Sequence, residues 1–470
     1  MRRVLVAAIA LVVALACTAA AQPAVKFVIK GRGWGHGIGL AQYGAQGYAS
    51  KDGRSYGWIL RHYYSGTTIA TRSASIRVLL ASGRSSLTLG SSSSFRSGPA
   101  TFSAGTWTVS TAANGRLKLV KGSATRRVAS PTTFRPGASA LVLGGTAYRG
   151  TITLRRSGSR VWALNTVALD GYVKGVVPRE MPSSWHRQAL RAQAVAARSY
   201  ALAAGGHCRW FGTGVMCPDT SDQVYSGKSG EATRTNAAVD ATPGEVILSG
   251  GSVAIAFFSS TSGGKTAAKH HEWGGAALSY LQSVPDPHDT LSPHHRWGPR
   301  DAEADCPGTA RDCVWSGPAM KARLGGSAPS GLRDLVVSAR NGSSRVATVR
   351  ATGTGGARTI TGASMRSLLG LRSTWFSIGV LRITGGGTVE SGQRKRLRLL
   401  ARNVSGAKLQ KRRRGQSAWV TVTSVQGSES RRVRPRVTTF YRLASPSATT
   451  AAVKVTVRSQ ASPKLALLER

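Results

Sequence analysis

The chain of 470 residues carries 64 lysine and arginine residues against 19 aspartate and glutamate residues, a formal charge of +45. This length allows two or three domains, and a charge of this size favours an anionic partner and disfavours a cationic one. A basic proteome that uses arginine in place of lysine would explain the arginine bias, but it would not explain why acidic residues are so few.

The first residues predict a secretory signal peptide that spans residues 1–21. A basic start at residues 1–3 precedes an apolar run at residues 4–16, which is too short to cross a bilayer comfortably. Cys17 could instead be acylated, but Ala14 stands where a lipoprotein signal has a bulky aliphatic residue, so we favour secretion. Export makes an anionic extracellular polymer the expected partner and argues against nucleic acid.

The elements that follow alternate between strand-rich and helical segments. Residues 73–162 show short alternating apolar and polar runs separated by Gly, Ser and Asn, which predicts a β-rich lobe. The run Tyr172–Val177 has the character of a strand. The longest helical pattern then runs from Trp185 to about Ala204, with Ser183 or Ser184 as N-cap.

Three further elements complete the pattern. A short helix is predicted at residues 231–242, and residues 244–264 read as a β-hairpin with a buried second strand. Residues 388–470 are strand-rich and strongly basic, typical of a small sandwich-like module with a polyanion-binding surface.

The stretch "GRGWGHGIGLAQYGAQGYA", at residues 31–49, combines glycines with ring side chains. A dinucleotide loop is not predicted, because the sequence indicates no buried strand leading in, no helix packed behind it and no acidic residue at the required distance. It is not a flexible linker either, since linkers rarely contain rings such as Trp34, His36 and Tyr43. A shallow sugar-binding groove fits this composition, and so does a loop whose rings fill its own core.

Two serine motifs are interpreted as coincidences. "GRSYG" at residues 53–57 lacks the buried strand of a nucleophile elbow. "SGGK" starting at Ser262 matches S-x-x-K, but its companion "SDQ" at Ser221 precedes it and no K-T-G follows. An acyl-enzyme that uses Ser262 is therefore the least favoured function.

Glu180 is the candidate catalytic carboxylate. Met181, Pro182 and Trp185 surround it with apolar surface, which would raise its pKa and keep its acid form available near neutral pH. A protonated glutamate in a groove is what the cleavage of a glycosidic bond requires. The alternative is that Glu180 merely pairs with Arg179 or another neighbouring cation.

Four cysteines remain after the signal peptide, and an exported chain with an even number favours two disulfides. Cys306 and Cys313 bracket a tight Pro-Gly loop. Cys208 and Cys217 form the second predicted pair, although these two residues and His207 could instead hold zinc.

Several segments resemble the SpoIID/LytB family in order and spacing. They are "LDGYVKGVVPREMPSSW…ALRAQAVAARSYAL", "DTSDQVYSG", "AFFSSTSGGKT", "YLQSVPDPHD" and "LRSTWFSIG", and "GRGWGHGIGLAQYGAQ" is similar to that family's Gly-His-Gly signature. In better-known members this signature follows the stretch similar to "LRSTWFSIG", whereas here it opens the mature chain. The resemblance therefore implies a permuted order in which residues 27–70 dock beside the strand near Trp375.

The resemblance implies a SpoIID-like mixed α/β core. Together with the strand patterns, which predict a β-rich lobe and a C-terminal all-β, sandwich-like module, this gives an α+β fold. The corresponding segments are residues 26–72 and 163–387 for the core, 73–162 for the lobe and 388–470 for the module. It also implies a lytic transglycosylase that acts on peptidoglycan strands stripped of stem peptides and forms 1,6-anhydromuramyl ends. Glu180 would be the general acid-base, without a second carboxylate and without a cofactor.

The resemblance further implies a set of substrate-binding residues, in which the two arginines would pair with lactyl carboxylates of the glycan. The set is Trp34, His36, Gln42, Tyr43, Arg191, Arg198, Tyr200, Gln223, Tyr225, Ser262, Gly263 and Gly264. Expected partners are glycan strands, anionic cell-wall polymer and a wall amidase, and the expected location is extracellular and wall-associated. The alternative function is a non-catalytic wall-binding protein that stimulates an amidase.

Overall fold

The computed structural model describes residues 24–299 and 313–458. The predicted signal peptide lies outside these residues, and so does Cys306, hence also the predicted Cys306–Cys313 bond. The described chain mixes helices with several sheets, which confirms the α+β class. Within this range, no helix combines the length and the apolar character needed to cross a bilayer.

The N-terminal segment begins with a strand that pairs with a strand from the far end of the core. Its elements are β1 (Ala24–Arg32), β2 (Leu40–Ala41), α1 (Gln42–Lys51), α2 (Tyr56–Tyr63) and β3 (Thr68–Thr71). β1 runs antiparallel to the strand Phe376–Thr384, in register from Ala24 opposite Ile383 to Gly31 opposite Phe376. The amide of Arg32 then donates to the carbonyl of Trp375 at 2.9 Å. The glycine-rich segment therefore lies beside the strand near Trp375.

The next segment is entirely β-structure. Its strands are β4 (Ser75–Arg84), β5 (Ser86–Ser91), β6 (Phe95–Ser97), β7 (Ala100–Phe102), β8 (Gly105–Thr111), β9 (Leu117–Lys121), β10 (Ala124–Val128), β11 (Thr132–Arg135), β12 (Leu141–Leu143), β13 (Thr146–Tyr148), β14 (Thr151–Ser157) and β15 (Arg160–Ala168). They form two six-stranded sheets, β10-β9-β8-β5-β12-β13 and β4-β15-β14-β11-β6-β7. A core of its own, which includes Phe95, Phe102, Trp107 and Phe134, holds them together.

Two helices follow, α3 (Leu169–Glu180) and α4 (Arg187–Ala203). The prediction of a strand at Tyr172–Val177 is wrong, because this run lies within α3. Its buried residues are Tyr172, Val173, Gly175, Val176 and Val177, and the pairs four apart lie on one helical face. The Val-rich composition, which favours strands, and Pro178 concealed this periodicity.

The predicted long helix is present but begins later than expected. α4 is capped by His186, whose Nδ1 accepts from the amide of Gln188 at 3.3 Å, rather than by Ser183 or Ser184. The alanines Ala192, Ala196, Ala197 and Ala201 of α4 are buried, and these small side chains allow close packing of neighbouring helices.

The remaining core elements lead back to the first sheet. They are β16 (Cys208–Trp210), β17 (Thr213–Val215), α5 (Thr233–Asp240), β18 (Glu245–Ser249), β19 (Ser252–Val253), β20 (Phe258–Ser259), α6 (Lys269–Trp273), β21 (Arg296–Trp297), β22 (Val314–Ser316), α7 (Gly317–Leu324), β23 (Asp334–Arg340), β24 (Val346–Gly353), β25 (Gly356–Thr361), α8 (Gly362–Leu369) and β26 (Phe376–Thr384). The predicted hairpin is β18–β19. Its second strand is only two residues long, because the chain turns away and Phe258–Ser259 pairs with β2 instead.

The basic C-terminal segment is joined to the core through a shared sheet. Its strands are β27 (Gly387–Glu390), β28 (Lys395–Arg402), β29 (Lys408–Arg413), β30 (Val420–Ser424), β31 (Gly427–Val433), β32 (Thr439–Ala444) and β33 (Val453–Arg458). β28 and β31 extend the β1–β26 sheet, and the other five strands form a second sheet, β27-β33-β32-β29-β30. One apolar cluster includes Val28 and Leu381 of the core together with Leu397 and Leu443. Deleting the segment would therefore expose the core.

Arg198 ties three helices together from the centre of the helical core. Its side chain is fully buried on α4. Nε donates to Asp170 of α3 at 2.5 Å, and the two Nη atoms donate to Thr242 Oγ1 at 3.1 Å and to the Val239 carbonyl of α5 at 2.9 Å. A buried guanidinium needs such hydrogen-bond and ion-pair partners. Removing the carboxylate would leave a buried positive charge without a counter-charge, which destabilises the folded state.

Asp170→Asn should therefore destabilise the fold by about 2–3 kcal/mol, somewhat below a fully buried pair because the Asp170 side chain is 40% exposed. Asp240→Asn is the matched control, since Asp240 pairs with Lys174 at the surface and is 59% exposed; we expect it to cost less than about 1 kcal/mol. Urea unfolding of the two variants measures the difference. Equal losses would contradict the role assigned to Arg198.

Candidate functional site

The glycines of the N-terminal signature are required by the protein's own packing. Gly33, Gly35, Gly37 and Gly39 all have positive φ values. A Cβ on Gly37 would lie 1.9 Å from Nη2 of the buried Arg345, and one on Gly39 would lie 2.1 Å from the carbonyl oxygen of Phe257. At these two positions the backbone closely approaches other protein atoms, which only glycine allows.

The rings of this segment divide into exposed and buried groups. Trp34 is 43% exposed and lies edge-on to His294, with ring centroids 4.4 Å apart. Tyr43 is half-buried and lies 4.8 Å from Trp185. Tyr48 is buried in the core. The segment therefore fills part of its own core and also presents rings at the surface.

His36 is a neutral ring beneath an exposed tryptophan. Its Nδ1 accepts from the amide of Ile38 at 3.0 Å, and its ring lies 4.9 Å from Trp273 and 6.1 Å from Phe257. Burial, followed by the nearby charge of Arg345, lowers the pKa of His36 to about 3. The imidazole therefore stays uncharged at neutral pH and offers packing and hydrogen bonding rather than charge.

Glu180 is the last residue of α3, and its side chain is half-buried. Its Oε2 accepts a long hydrogen bond of 3.4 Å from Gln42 Nε2, which also contacts Gln193 Oε1 at 3.4 Å. Burial raises the pKa of Glu180, while a backbone hydrogen bond from Val224 and the Gln42 amide act in the opposite direction. Among the described residues no cation forms an ion pair with this carboxylate, Arg179 included.

A pocket of about 450 Å³ lies beside Tyr200, whose hydroxyl is influenced by the charge of Glu180. It is lined by His36, Tyr200, Ala204, His207, Thr220, Ser221, Asp222, Ile255, Phe257, Phe258 and Trp273. Tyr200 donates to Asp222 Oδ1 at 3.2 Å. Burial, then the charges of Asp222 and Glu180, raise the pKa of Tyr200, so its hydroxyl stays protonated beside both acids.

A disulfide closes the loop on one side of this pocket. Cys208 and Cys217 are bonded, so their sulfurs are not free thiolates for zinc, and the zinc alternative does not fit this arrangement. Asp222 anchors the loop, because it accepts from the amides of His207 at 3.0 Å and Cys217 at 2.7 Å and from His207 Nδ1 at 2.6 Å.

The loop that begins at Ser262 is held from below by two buried carboxylates. Ser262 is fully buried, and its Oγ donates to Asp286 Oδ2 at 2.8 Å. The amides of Ser262 and Gly263 donate to Asp289 at 2.9 and 2.8 Å. The structure therefore uses these polar groups of Ser262 and Gly263, which were predicted to bind substrate, in internal hydrogen bonds. Gly264 remains half-buried.

Two more residues assigned to substrate binding belong to the core. Gln223 is 1% exposed and accepts from the Tyr172 hydroxyl at 3.1 Å. Tyr225 is 5% exposed, and its hydroxyl donates to Asn165 Oδ1 at 2.9 Å. Both side chains are satisfied inside the protein and are not available to a ligand.

The two arginines predicted to pair with lactyl carboxylates have different environments. Arg198 is fully buried, and its guanidinium is bound by Asp170, Thr242 and Val239 inside the protein. Arg191 is half-buried, and its Nε has no hydrogen-bond partner among the described residues. A buried donor without a partner is available to a bound anion.

Sequence reasoning missed three contributors to the site. Gln193 orients Gln42, Asp222 organises one wall of the pocket, and Trp273, 49% exposed, forms part of the opposite wall. Asp222 stands in the quoted segment "DTSDQVYSG" next to Gln223. Gln193 and Trp273 carry no local signal, because their roles depend on neighbours far away in the chain.

Comparisons with known proteins match the segment that contains Glu180. The profile of the family described as SpoIID, Stage II sporulation protein, matches residues 157–248. The amidase enhancer of Bacillus subtilis (strain 168) is 42% identical over 118 residues, covering 25% of this chain and 15% of the relative. Stage II sporulation protein D of the same organism is 32% identical over 148 residues, covering 28% of this chain and 43% of the relative.

An uncharacterized protein of Brachyspira hyodysenteriae is 33% identical over 147 residues, covering 30% of this chain and 38% of the relative. The chain thus spans less than half the length of each of these relatives. The segment matched by the SpoIID profile contains α3, α4 and Glu180. This chain is therefore similar to the SpoIID family over residues 157–248.

Proposed function

We propose that the protein acts on the bacterial cell wall as a lytic transglycosylase, which cleaves peptide-stripped peptidoglycan strands and leaves 1,6-anhydromuramyl ends. The observation that carries the proposal is the state of Glu180. This carboxyl group is half-buried, its pKa is raised by burial, and no described cation pairs with it. A carboxyl in this environment keeps its proton to higher pH than an exposed one, as a general acid requires.

The proposed reaction needs only one carboxyl group. Glu180 gives its proton to the oxygen of the glycosidic bond as that bond breaks at the muramyl C1. The resulting carboxylate then takes the proton of the muramyl C6 hydroxyl, whose oxygen bonds to C1 and closes the anhydro ring. The nucleophile is part of the substrate, so positioning replaces a second catalytic group.

The arrangement of Asp222 agrees with a single catalytic carboxyl. Its side chain is fully buried, and two backbone amides, Tyr200 and His207 all donate to it. These donors occupy both carboxylate oxygens, so the side chain is committed to internal hydrogen bonds. Asp222 is therefore assigned to positioning Tyr200, and Glu180 to the chemistry.

The pocket beside Tyr200 has features suited to a sugar polymer. It combines apolar walls, the exposed ring of Trp273 among them, with hydroxyl and carboxyl groups, and the glycine-rich segment presents a second exposed ring, Trp34. Such pockets bind sugars by covering ring faces with apolar surface and fixing hydroxyls with a few polar groups. Arg191, with its unpartnered Nε, is assigned to the lactyl carboxylate of a stripped strand.

The second candidate function is stimulation of a wall amidase without catalysis. It is favoured by the name of one relative, the amidase enhancer that is 42% identical over 118 residues. In both cases we propose an extracellular, wall-associated protein that binds glycan, uses no cofactor and is retained by anionic wall polymer. The two functions differ in whether the proton of Glu180 is needed.

Glu180→Gln should reduce the release of anhydromuramyl fragments from peptide-free glycan at least about a hundredfold, because an amide cannot supply the proton. Mass spectrometry of the soluble products measures the release. Glu390→Gln, an exposed change on β27, is the matched control and should cleave normally. Equal release by all proteins would remove Glu180 from the mechanism. Glycan binding without release by the unmodified protein would favour the amidase-stimulating function.

Gln42→Met should move the alkaline limb of the pH–activity profile to higher pH. The Gln42 amide stabilises the ionised form of Glu180 and so lowers its pKa; without it the acid keeps its proton further into the alkaline range. Because the active form is the protonated one, activity falls as pH rises through this pKa, and the fall should come later in the variant. The measurement is the pH at which kcat/KM falls, not the maximum value of kcat/KM. An unchanged pH for this fall would contradict the assignment of Glu180 as the general acid.

A further inference from the structure

The second C-terminal sheet, β27-β33-β32-β29-β30, has one apolar face and one cationic, aromatic face. The apolar face includes Leu409, Tyr441, Leu443 and Val455, which are buried in the cluster shared with the core. Because side chains alternate along a strand, the intervening residues point to the other side. This second face, the cationic–aromatic face, is defined by Lys408, Gln410, Arg412, Trp419, Phe440, Arg442 and Lys454.

The register of the strands brings these side chains into neighbouring rows. Arg412 lies opposite Phe440, and Phe440 lies opposite Lys454, so one row crosses three strands. Gln410 lies opposite Arg442 in the next row. A ligand extended across the strands would therefore meet cations and a ring in succession.

Aromatic rings hold the two guanidinium groups of this face. Arg442 lies 4.1 Å from the ring centroid of Trp419, and Arg412 lies 5.1 Å from Trp419 and 5.5 Å from Phe440. Arg442 Nε donates to Gln410 Oε1 at 2.8 Å. Cation–π contacts of this kind fix the plane of a guanidinium while its donors stay available.

The face has few carboxylates to neutralise its cations. Glu390 and Glu429 are the acidic residues of the segment 388–458; Glu390 lies on the edge strand β27 opposite Arg458, and Glu429 lies on β31 of the other sheet. Among the described residues neither Arg412 nor Arg442 forms an ion pair, and Arg412 Nε is buried without a hydrogen-bond partner. Two like charges held against one ring repel each other, and an anion between them would remove that cost.

We propose that the cationic–aromatic face is a binding site for an acidic polysaccharide, separate from the Glu180 site, in which Arg412 and Arg442 bind the anionic groups and Trp419 and Phe440 contact sugar rings. The proposal rests on the proposed function in one respect: a protein that acts on wall glycan meets acidic sugar polymers. The two guanidinium groups would bind the anionic groups of the polymer, and the aromatic rings would contact its sugar rings.

The experiment uses the full chain, because the segment shares its core with the rest of the protein. Binding to immobilised polygalacturonate at physiological salt is compared for the unmodified protein, Arg412→Gln/Arg442→Gln and Arg413→Gln/Arg414→Gln. The last is the matched control, since it removes the same charge from exposed neighbours outside the ring contacts. We expect roughly a tenfold loss for the first variant and less than about threefold for the control. Equal losses would show that net charge alone is responsible and would overturn the site.

A second comparison tests the sugar contact. Trp419→Ala should weaken binding to polygalacturonate more than binding to inorganic polyphosphate, which offers charge without rings. Equal weakening, or tighter binding of single-stranded DNA than of polygalacturonate by the unmodified protein, would overturn the proposed ligand.

Release of fragments from soluble stripped glycan is measured in parallel and should be unchanged in the Arg412/Arg442 variant. Failure of the proposed function would remove that release from every protein, whereas failure of the present proposal would leave the release intact and abolish the difference between the two arginine pairs.

Discussion

The pairing of β1 with β26 is the constraint on which the candidate site depends. Eight consecutive residues of β1, Ala24 to Gly31, lie opposite Phe376 to Ile383. The chain leaves this strand through the glycine loop and enters α1, whose first residue, Gln42, reaches Glu180 at the end of α3. The order of the segments along the chain matters less than this pairing, since antiparallel strands need only meet in space. The signature segment can therefore stand at the start of the mature chain and still complete the site.

The few carboxylates of this basic chain serve mainly as internal anchors. Asp170 neutralises a buried arginine, Asp222 gathers the ends of the disulfide loop, and Asp286 and Asp289 support the loop at Ser262. Burial and the neighbouring Asp289 raise the pKa of Asp286, so that this pair avoids two adjacent charges. Glu180 differs from these anchors, because its side-chain partner is one long amide contact.

The sequence predicted the features that depend on local composition and missed those that depend on distant partners. The alternating strands of residues 73–162, the helix α4 and the apolar surroundings of Glu180 all follow from neighbours in the chain. The run at Tyr172 was mistaken for a strand because its valines favour strands, while packing against α4 decides for a helix. Arg198, Gln223 and Tyr225 have the residue types of a binding site, but burial places them in the core. Only the three-dimensional structure distinguishes a polar residue that binds a ligand from one that satisfies its own protein.

The partnership of β1 and β26 also governs when the molecule can finish folding. The two strands are separated by more than three hundred residues. β1 therefore cannot pair with β26 until the chain has emerged as far as Phe376–Thr384. Contacts between such remote segments form late, because the entropy cost of closing a long loop must be met before the contacts contribute stabilising free energy. The β-rich lobe, with a core of its own, has no such delay. An emerging chain would therefore assemble the lobe first and pair β1 with its partner only after β26 had emerged.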